Sequence, residues 1–135
     1  VSLYVDTSAL LKLYVDEAES DACEAALLAD PVWVTGRHTL VEARRNLARL
    51  LEGEAHRDAV ATFTADWRRF EVIEVDVAPC ERAAELAEHS GARTLDALHL
   101  AAALTAGVET PVTYDQRLAE ATGGAGLAVS TPASG

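Results

Sequence analysis

The feature that most constrains this chain is its alternation of short β-branched runs with longer Ala/Leu-rich stretches of helical spacing. Strand-like runs stand at 1–6 (VSLYVD), 32–35 (VWVT), 71–75 (EVIEV), 111–114 (PVTY) and 127–130 (LAVS). Helices are predicted between and after them, over 8–15, 21–28, 39–51, 55–70, 79–89, 94–106 and 116–121. In the third of these Leu40, Ala43, Leu47, Leu50 and Leu51 repeat at helical spacing, and Val60, Phe63 and Trp67 share one side of the next. Ser20, Thr39 and Thr94 read as helix-opening residues, and Gly53, Gly91 and Gly107 as stops. Strands separated by helices call for right-handed crossovers. The expected fold class is therefore α/β: one domain over 1–135, with a twisted parallel sheet of about four to five strands, helices on both faces and a frayed tail at 131–135. No internal repeat and no linker interrupts it.

Composition narrows the class further. With 135 residues, half of them hydrophobic, the chain buries a real core and is not disordered, despite 22 acidic residues against 11 basic ones and a net charge of −11. The longest nearly apolar run, 97–106, carries His99 and Thr105 and is about half the roughly 20 residues of a membrane span. No basic leader followed by an apolar stretch opens the sequence, and the expectation is a cytoplasmic protein away from membranes. Cys23 and Cys80, far apart in helical stretches, read as two buried reduced thiols. Ten of the eleven basic residues are Arg, Lys12 being the exception.

In open parallel sheets the ligand site lies beyond the carboxyl ends of the strands, and two acids stand there. Asp6 directly follows Leu3-Tyr4-Val5, and Asp115 directly follows Val112-Thr113-Tyr114. Asp96 falls in the first turn of the helix opened by Thr94, and Glu42 in the first turn of the helix opened by Thr39. Carboxylates gathered in one pocket repel unless a cation is present. Hard cations such as Mg²⁺ or Mn²⁺ take oxygen ligands, and such an ion orients a water and stabilises a phosphodiester under attack. His38, His56, His89 and His99 show no zinc-type pairing with each other or with the cysteines. Each acid also has a purely structural explanation. Thr39 to Glu42 has the form of a capping box, Asp96 suits a helix N-terminus, and Asp6 and Asp115 can cap the helices that follow them. Two acids at strand ends, with acids opening two further helices, favour a site.

Four blocks together resemble the PIN-domain ribonucleases, most closely the VapC-type toxins of bacterial toxin–antitoxin pairs. They are LYVDTSALLKLY at 3–14, TLVEARR at 39–45, TLDALHLAAA at 94–103 and VTYDQRLA at 112–119, in an order that spans almost the whole chain. The resemblance implies a PIN fold with Asp6, Glu42, Asp96 and Asp115 as an acidic quartet around one or two Mg²⁺ or Mn²⁺ ions, Asp6 and Asp96 foremost. It implies an endoribonuclease whose nucleophile is a metal-activated water, silenced by a cognate antitoxin that covers the site, and a homodimer. No quartet position departs from the family pattern. Ser8 and Thr113, one short step from Asp6 and Asp115, carry hydroxyls that can orient a ligand or water, or simply cap a helix and favour a strand.

An acidic protein is a poor nucleic-acid binder if its charge is uniform, because affinity comes from neutralising phosphates. Here it is not uniform. Residues 1–36 carry −6, residues 37–69 carry +2 and residues 70–135 carry −7. The middle segment tolerates a phosphate backbone, and Arg44 and Arg45 beside Glu42 are its candidate phosphate contacts, with a solvated helix face as the alternative. A receiver-type domain is a poor match, because it needs paired acids at the first strand and a late Lys. A haloacid-dehalogenase-type phosphatase needs an acid where Ser8 stands. The remaining rival is a non-catalytic α/β partner-binding module.

Overall fold

The computed structural model describes residues 2–30, 32–108, 111–125 and 128–133. Four parallel strands form one sheet: β1 (Ser2–Val5), β2 (Val32–Gly36), β3 (Glu71–Ile73) and β4 (Pro111–Val112), ordered β3-β2-β1-β4. The helices are α1 (Thr7–Leu11), α2 (Ser20–Leu28), α3 (Thr39–Leu50), α4 (Gly53–Trp67), α5 (Val77–Ser90), α6 (Thr94–Ala106) and α7 (Gln116–Gly124). The order of strands reverses at β1, which lies between β2 and β4, so a crevice opens beside its carboxyl end.

Strand alternation divides the core into two layers. Leu3, Val5 and Val112 face a cluster built from Ala9, Leu10, Cys23, Leu27, Ala43, Leu47 and Phe63 on α1 to α4. Tyr4 and Val34 face the other side and pack on Ala102 and Ala103 of α6. Behind that layer α5 closes on α6 through Ala83, Ala97 and Ala101, small side chains that let the two helices approach closely. Helices on both faces of a parallel sheet are thus borne out.

Several boundaries differ from the sequence reading. The first helix ends at Leu11 rather than 15, because the amides of Lys12, Leu13 and Tyr14 bond three residues back and tighten the chain into turns. Ser20 is the first residue of α2, not its cap; its hydroxyl accepts the Glu17 amide and donates to the Val15 carbonyl, tying the preceding turn. Thr39 and Thr94 likewise lie inside their helices, with His38 and Arg93 at the cap positions. Gly91 and Gly107 do end their helices, each in the left-handed region at φ 70° and 72° that suits glycine. The last strand, expected at 127–130, is a single parallel bridge from Ser130 to Val112, while Leu127 lies outside the described residues. In the tail, expected to fray over 131–135, Thr131 donates to the Thr113 carbonyl and the Tyr114 hydroxyl donates to the Pro132 carbonyl, while residues 134–135 lie outside the described residues. Cys23 is buried as expected, but Cys80 is exposed, because Pro79 and Ala83 take the inward phase of α5.

Phe63 is fully buried, with Tyr14 edge-on at 5.6 Å between ring centroids and Trp67 on its other flank. In urea denaturation Phe63→Ala is expected to cost about 3–5 kcal/mol, whereas Val41→Ala, at a position 69% exposed, stays within about 0.5 kcal/mol. Equal losses for the two would refute this placement of the core.

Candidate active site

Asp6 leaves the end of β1 and caps α1, its Oδ1 accepting the Ala9 amide at 2.9 Å. The Ser8 hydroxyl reaches the same carboxylate at 2.8 Å, and the Thr113 hydroxyl donates to Oδ2 at 2.5 Å. Backbone amides fix the sense of those hydroxyls, Tyr114 N–H donating to Ser8 Oγ and Asp115 N–H to Thr113 Oγ1. Ser8 and Thr113 thus both hold Asp6, and Ser8 also lines the cleft beside it. Three donors serve a carboxylate with about four acceptor positions, which leaves one free. Asp6 is 2% exposed, and burial holds its carboxyl above the usual carboxylate range although His99 and these hydrogen bonds pull it down.

The other three acids meet Asp6 around one cleft. Asp96, in the first turn of α6, is buried and accepts no hydrogen bond among the described residues. Desolvation, and then the neighbouring Asp115, hold its carboxyl above its ordinary value. Asp115 caps α7, its Oδ1 accepting the amides of Arg117 and Leu118, and it is exposed. All four acids line a cavity of about 1080 Å³. Two buried carboxyls raised above their ordinary values, one of them without a hydrogen-bond donor among the described residues, form a site that favours added positive charge. The donors are all carboxylate oxygens, which fits a hard divalent cation.

Glu42 behaves differently. The capping box does not form; instead Oε1 accepts the Thr7 hydroxyl at 3.0 Å and lies 2.8 Å from His99 Nε2. Burial pushes Glu42 up, but the His99 and Thr7 contacts outweigh it and hold the carboxyl below its ordinary value. With Glu42 ionised, Nε2 of His99 donates to it, and Nδ1 then accepts the Tyr4 hydroxyl at 2.8 Å. His38 stacks beside His99, with 4.2 Å between ring centroids, and its Nε2 is 3.8 Å from Glu42. The histidines show no zinc-type spacing in the sequence, yet the fold sets His38 beside His99. The signal was helical phase: His38 precedes Glu42 by four residues and His99 follows Asp96 by three, so each shares a face with an acid.

The two arginines expected to contact phosphate lie outside the cleft. Arg44 and Arg45 are exposed on α3 and do not line the cleft, since the face that carries Glu42 returns at Asn46. Arg44 lines a separate groove with Arg57 and His56. The basic residues at the cleft are Arg93 and Arg117, both from the segment that is most acidic in total. A charge sum along the chain is blind to which residues the loops bring together.

His38 yields a sign-definite pH dependence. Burial, and then His99, push its imidazole down to about 4 from an ordinary 6.5. Between those values the unfolded chain binds the proton and the native one does not, so this contribution to stability is lost as pH falls below 6.5. From pH 7 to pH 5 the loss attributable to His38 is about 2 kcal/mol. The raised carboxyls of Asp6 and Asp96 act in the opposite sense, so the readout is the difference between wild type and His38→Gln in urea denaturation under chelator. The expected result is a wild-type curve that drops more steeply; parallel curves would refute it.

Comparison with known proteins identifies the family. The PIN domain family model matches residues 3–124. Ribonuclease VapC35 of Mycobacterium tuberculosis is 40% identical over 137 residues, covering 96% of each chain. Ribonuclease VapC46 of the same species is 35% identical over 133 residues, covering 97% of this chain and 98% of the relative. Among solved structures, M. tuberculosis VapC20, a sarcin–ricin loop cleaving toxin, superposes with a TM-score of 0.75 at 24% identity, over 96% of this chain and 99% of that one. A toxin–antitoxin complex from Klebsiella pneumoniae gives 0.73 at 22% identity, over 98% of both chains. PIN nucleases typically depend on a bound metal, which accords with the oxygen-lined cleft. The chain belongs to the PIN-domain family, among its VapC-type ribonucleases.

Proposed function

We infer that the protein is the toxin of a toxin–antitoxin pair and an Mg²⁺- or Mn²⁺-dependent endoribonuclease whose centre is the cleft lined by Asp6, Glu42, Asp96 and Asp115. The observation that carries this reading is Asp96, a buried carboxyl raised beside Asp115 and without a donor of its own. Asp6, Asp96 and Asp115 would hold the ion, and Glu42 would reach it directly or through a water. Bound there, the ion lowers the pKa of a water and stabilises the charge that develops on the phosphate.

The chain's own residues supply the rest. Ser8 and Thr113 fix the carboxylate of Asp6 at the wall of the cleft. Thr7 and His99 do the same for Glu42. Arg93 and Arg117 reach the rim, where a guanidinium pairs with a phosphate oxygen of the RNA on either side of the bond to be cut. This offsets the acidic total and makes binding depend on RNA that fits the cleft.

The partner assignment rests on relatives: structures of similar fold include FitA and VapB complexes, two of them on DNA. A cognate antitoxin would silence this chain by placing a basic side chain among the carboxylates, in the cytoplasm where both act. Exposed Val77 and Leu95 on α5 and α6 suit a contact with a second copy.

Incubation with total cellular RNA tests the reading. Cleavage is expected with Mg²⁺ or Mn²⁺, none in chelator, and at least a 100-fold loss for Asp6→Asn and Asp96→Asn, on the order of what a metal ligand supplies. Circular dichroism checks that both variants fold. Cleavage that persists in chelator, or in both folded variants, would overturn it and leave the partner-binding module standing.

A further inference from the structure

Beside the oxygen-lined cleft lies a second cluster with different chemistry. His38, Glu42 and His99 each offer one ligand atom, and the three lie within 4.8 Å of one another. We propose that they form a binding site for a zinc-class divalent cation, separate from the carboxylates of Asp6, Asp96 and Asp115.

Two imidazole nitrogens and one carboxylate oxygen are a donor set suited to Zn²⁺, and imidazole is a poor ligand for Mg²⁺. Geometry supports the assignment. Ligands about 2.0–2.1 Å from a tetrahedral ion stand roughly 3.3 Å apart. Glu42 Oε1 is 2.8 Å from His99 Nε2 and 3.8 Å from His38 Nε2, each within about half an ångström of that spacing, and all three ligand atoms lie within 4.8 Å of one another. The rings are already held side by side, 4.2 Å between centroids.

An independent observation concerns His38 itself. Both of its ring nitrogens are shielded from solvent, and neither meets a hydrogen-bond partner among the described residues. They are the two buried side-chain polar atoms of the described residues left in that condition. Buried polar atoms without partners are uncommon, and an ion is one of their few explanations. The backbone makes room for this arrangement: a Cβ on Gly36 would stand 2.5 Å from His38 Cε1 and 2.7 Å from Nδ1. A side chain at position 36 would therefore displace the His38 ring from this place.

His99 is equipped to serve as a ligand. Its Nδ1 lies 2.8 Å from the Tyr4 hydroxyl, which also accepts the Gly36 amide. That contact fixes the ring, as outer partners of metal-bound histidines do. On metal binding the proton of Nε2 relocates to Nδ1 and faces the Tyr4 oxygen. The ion enters through the cleft, which Glu42 and His99 also line. Because Glu42 belongs to both clusters, the two occupancies share one carboxylate.

The inference stands without the nuclease reading, since its test counts bound metal and not cleaved RNA. The full chain is equilibrated with Zn²⁺ in a large excess of Mg²⁺, and retained zinc is measured by atomic spectroscopy. One Zn²⁺ per chain is expected, with affinity lowered at least about tenfold in His38→Gln and changed only a few-fold in Asp96→Asn. No retained zinc, equal affinity in His38→Gln, or loss in Asp96→Asn would overturn it, the last because the ion then sits in the acidic cleft. If His38→Gln does not fold, the Co²⁺ spectrum of the wild type decides. Intense visible bands of tetrahedral nitrogen-containing ligation support the site, and the weak bands of octahedral oxygen ligation refute it.

Discussion

The carboxylate of Asp6 is the constraint on which this molecule turns. It ends β1, caps α1 and receives the hydroxyl of Thr113 from the end of β4, so one side chain joins two strands and a helix. A buried carboxylate is tolerable only when donors surround it, and the chain provides Ser8, Thr113 and the Ala9 amide. These donors do not remove the whole cost of burial, since the Asp6 carboxyl stays above its ordinary range. A cation held in the cleft would offset the remainder. Structure and chemistry use the same group: the contacts that align β1 with β4 also aim the carboxylate.

Around that anchor, two of the acids that line the cleft are also helix caps. Asp115 is a helix cap by its Oδ1, and Asp6 caps α1. The structural explanations of these acids are therefore correct and do not compete with a site. A helix N-terminus that opens at a strand's carboxyl end sets its capping side chain at the crevice, so capping and lining coincide there. Glu42 breaks that pattern by turning away from its own helix amides towards His99 and Thr7. The result is a cleft in which the three aspartates form no ion pair among the described residues, while the glutamate is held by His99 and Thr7.

Local rules read the elements well where one force acted. Gly91 and Gly107 end helices because a left-handed residue is needed there, and Phe63 is buried because a helix of this phase presents it to the sheet. The reading was poorest where a hydroxyl had two uses. Ser20, Thr39 and Thr94 look like caps, yet Thr39 accepts the Thr35 hydroxyl in the core and Ser20 ties a turn. Arg44 and Arg45 neighbour Glu42 in sequence but stand off its face, while Arg93 and Arg117, remote from each other, reach the same rim. Sequence proximity is a poor guide to angular position on a helix.

The chain by itself determined the parallel α/β class, the two layers of the core and the placement of Asp6 and Asp115 at strand ends. Those follow from periodicity and from the right-handed crossover, which act over a few residues or on the whole topology. Only the tertiary structure decided the rest: that Thr113 bonds Asp6 across 107 positions, that His99 meets Tyr4 across 95 and Glu42 across 57, and that His38 lies unpartnered beside them. Such contacts depend on the register of β1 against β4 and on how α3 and α6 rotate over opposite faces of the sheet. Packing of complete side chains fixes those angles, and no local pattern in the sequence encodes them.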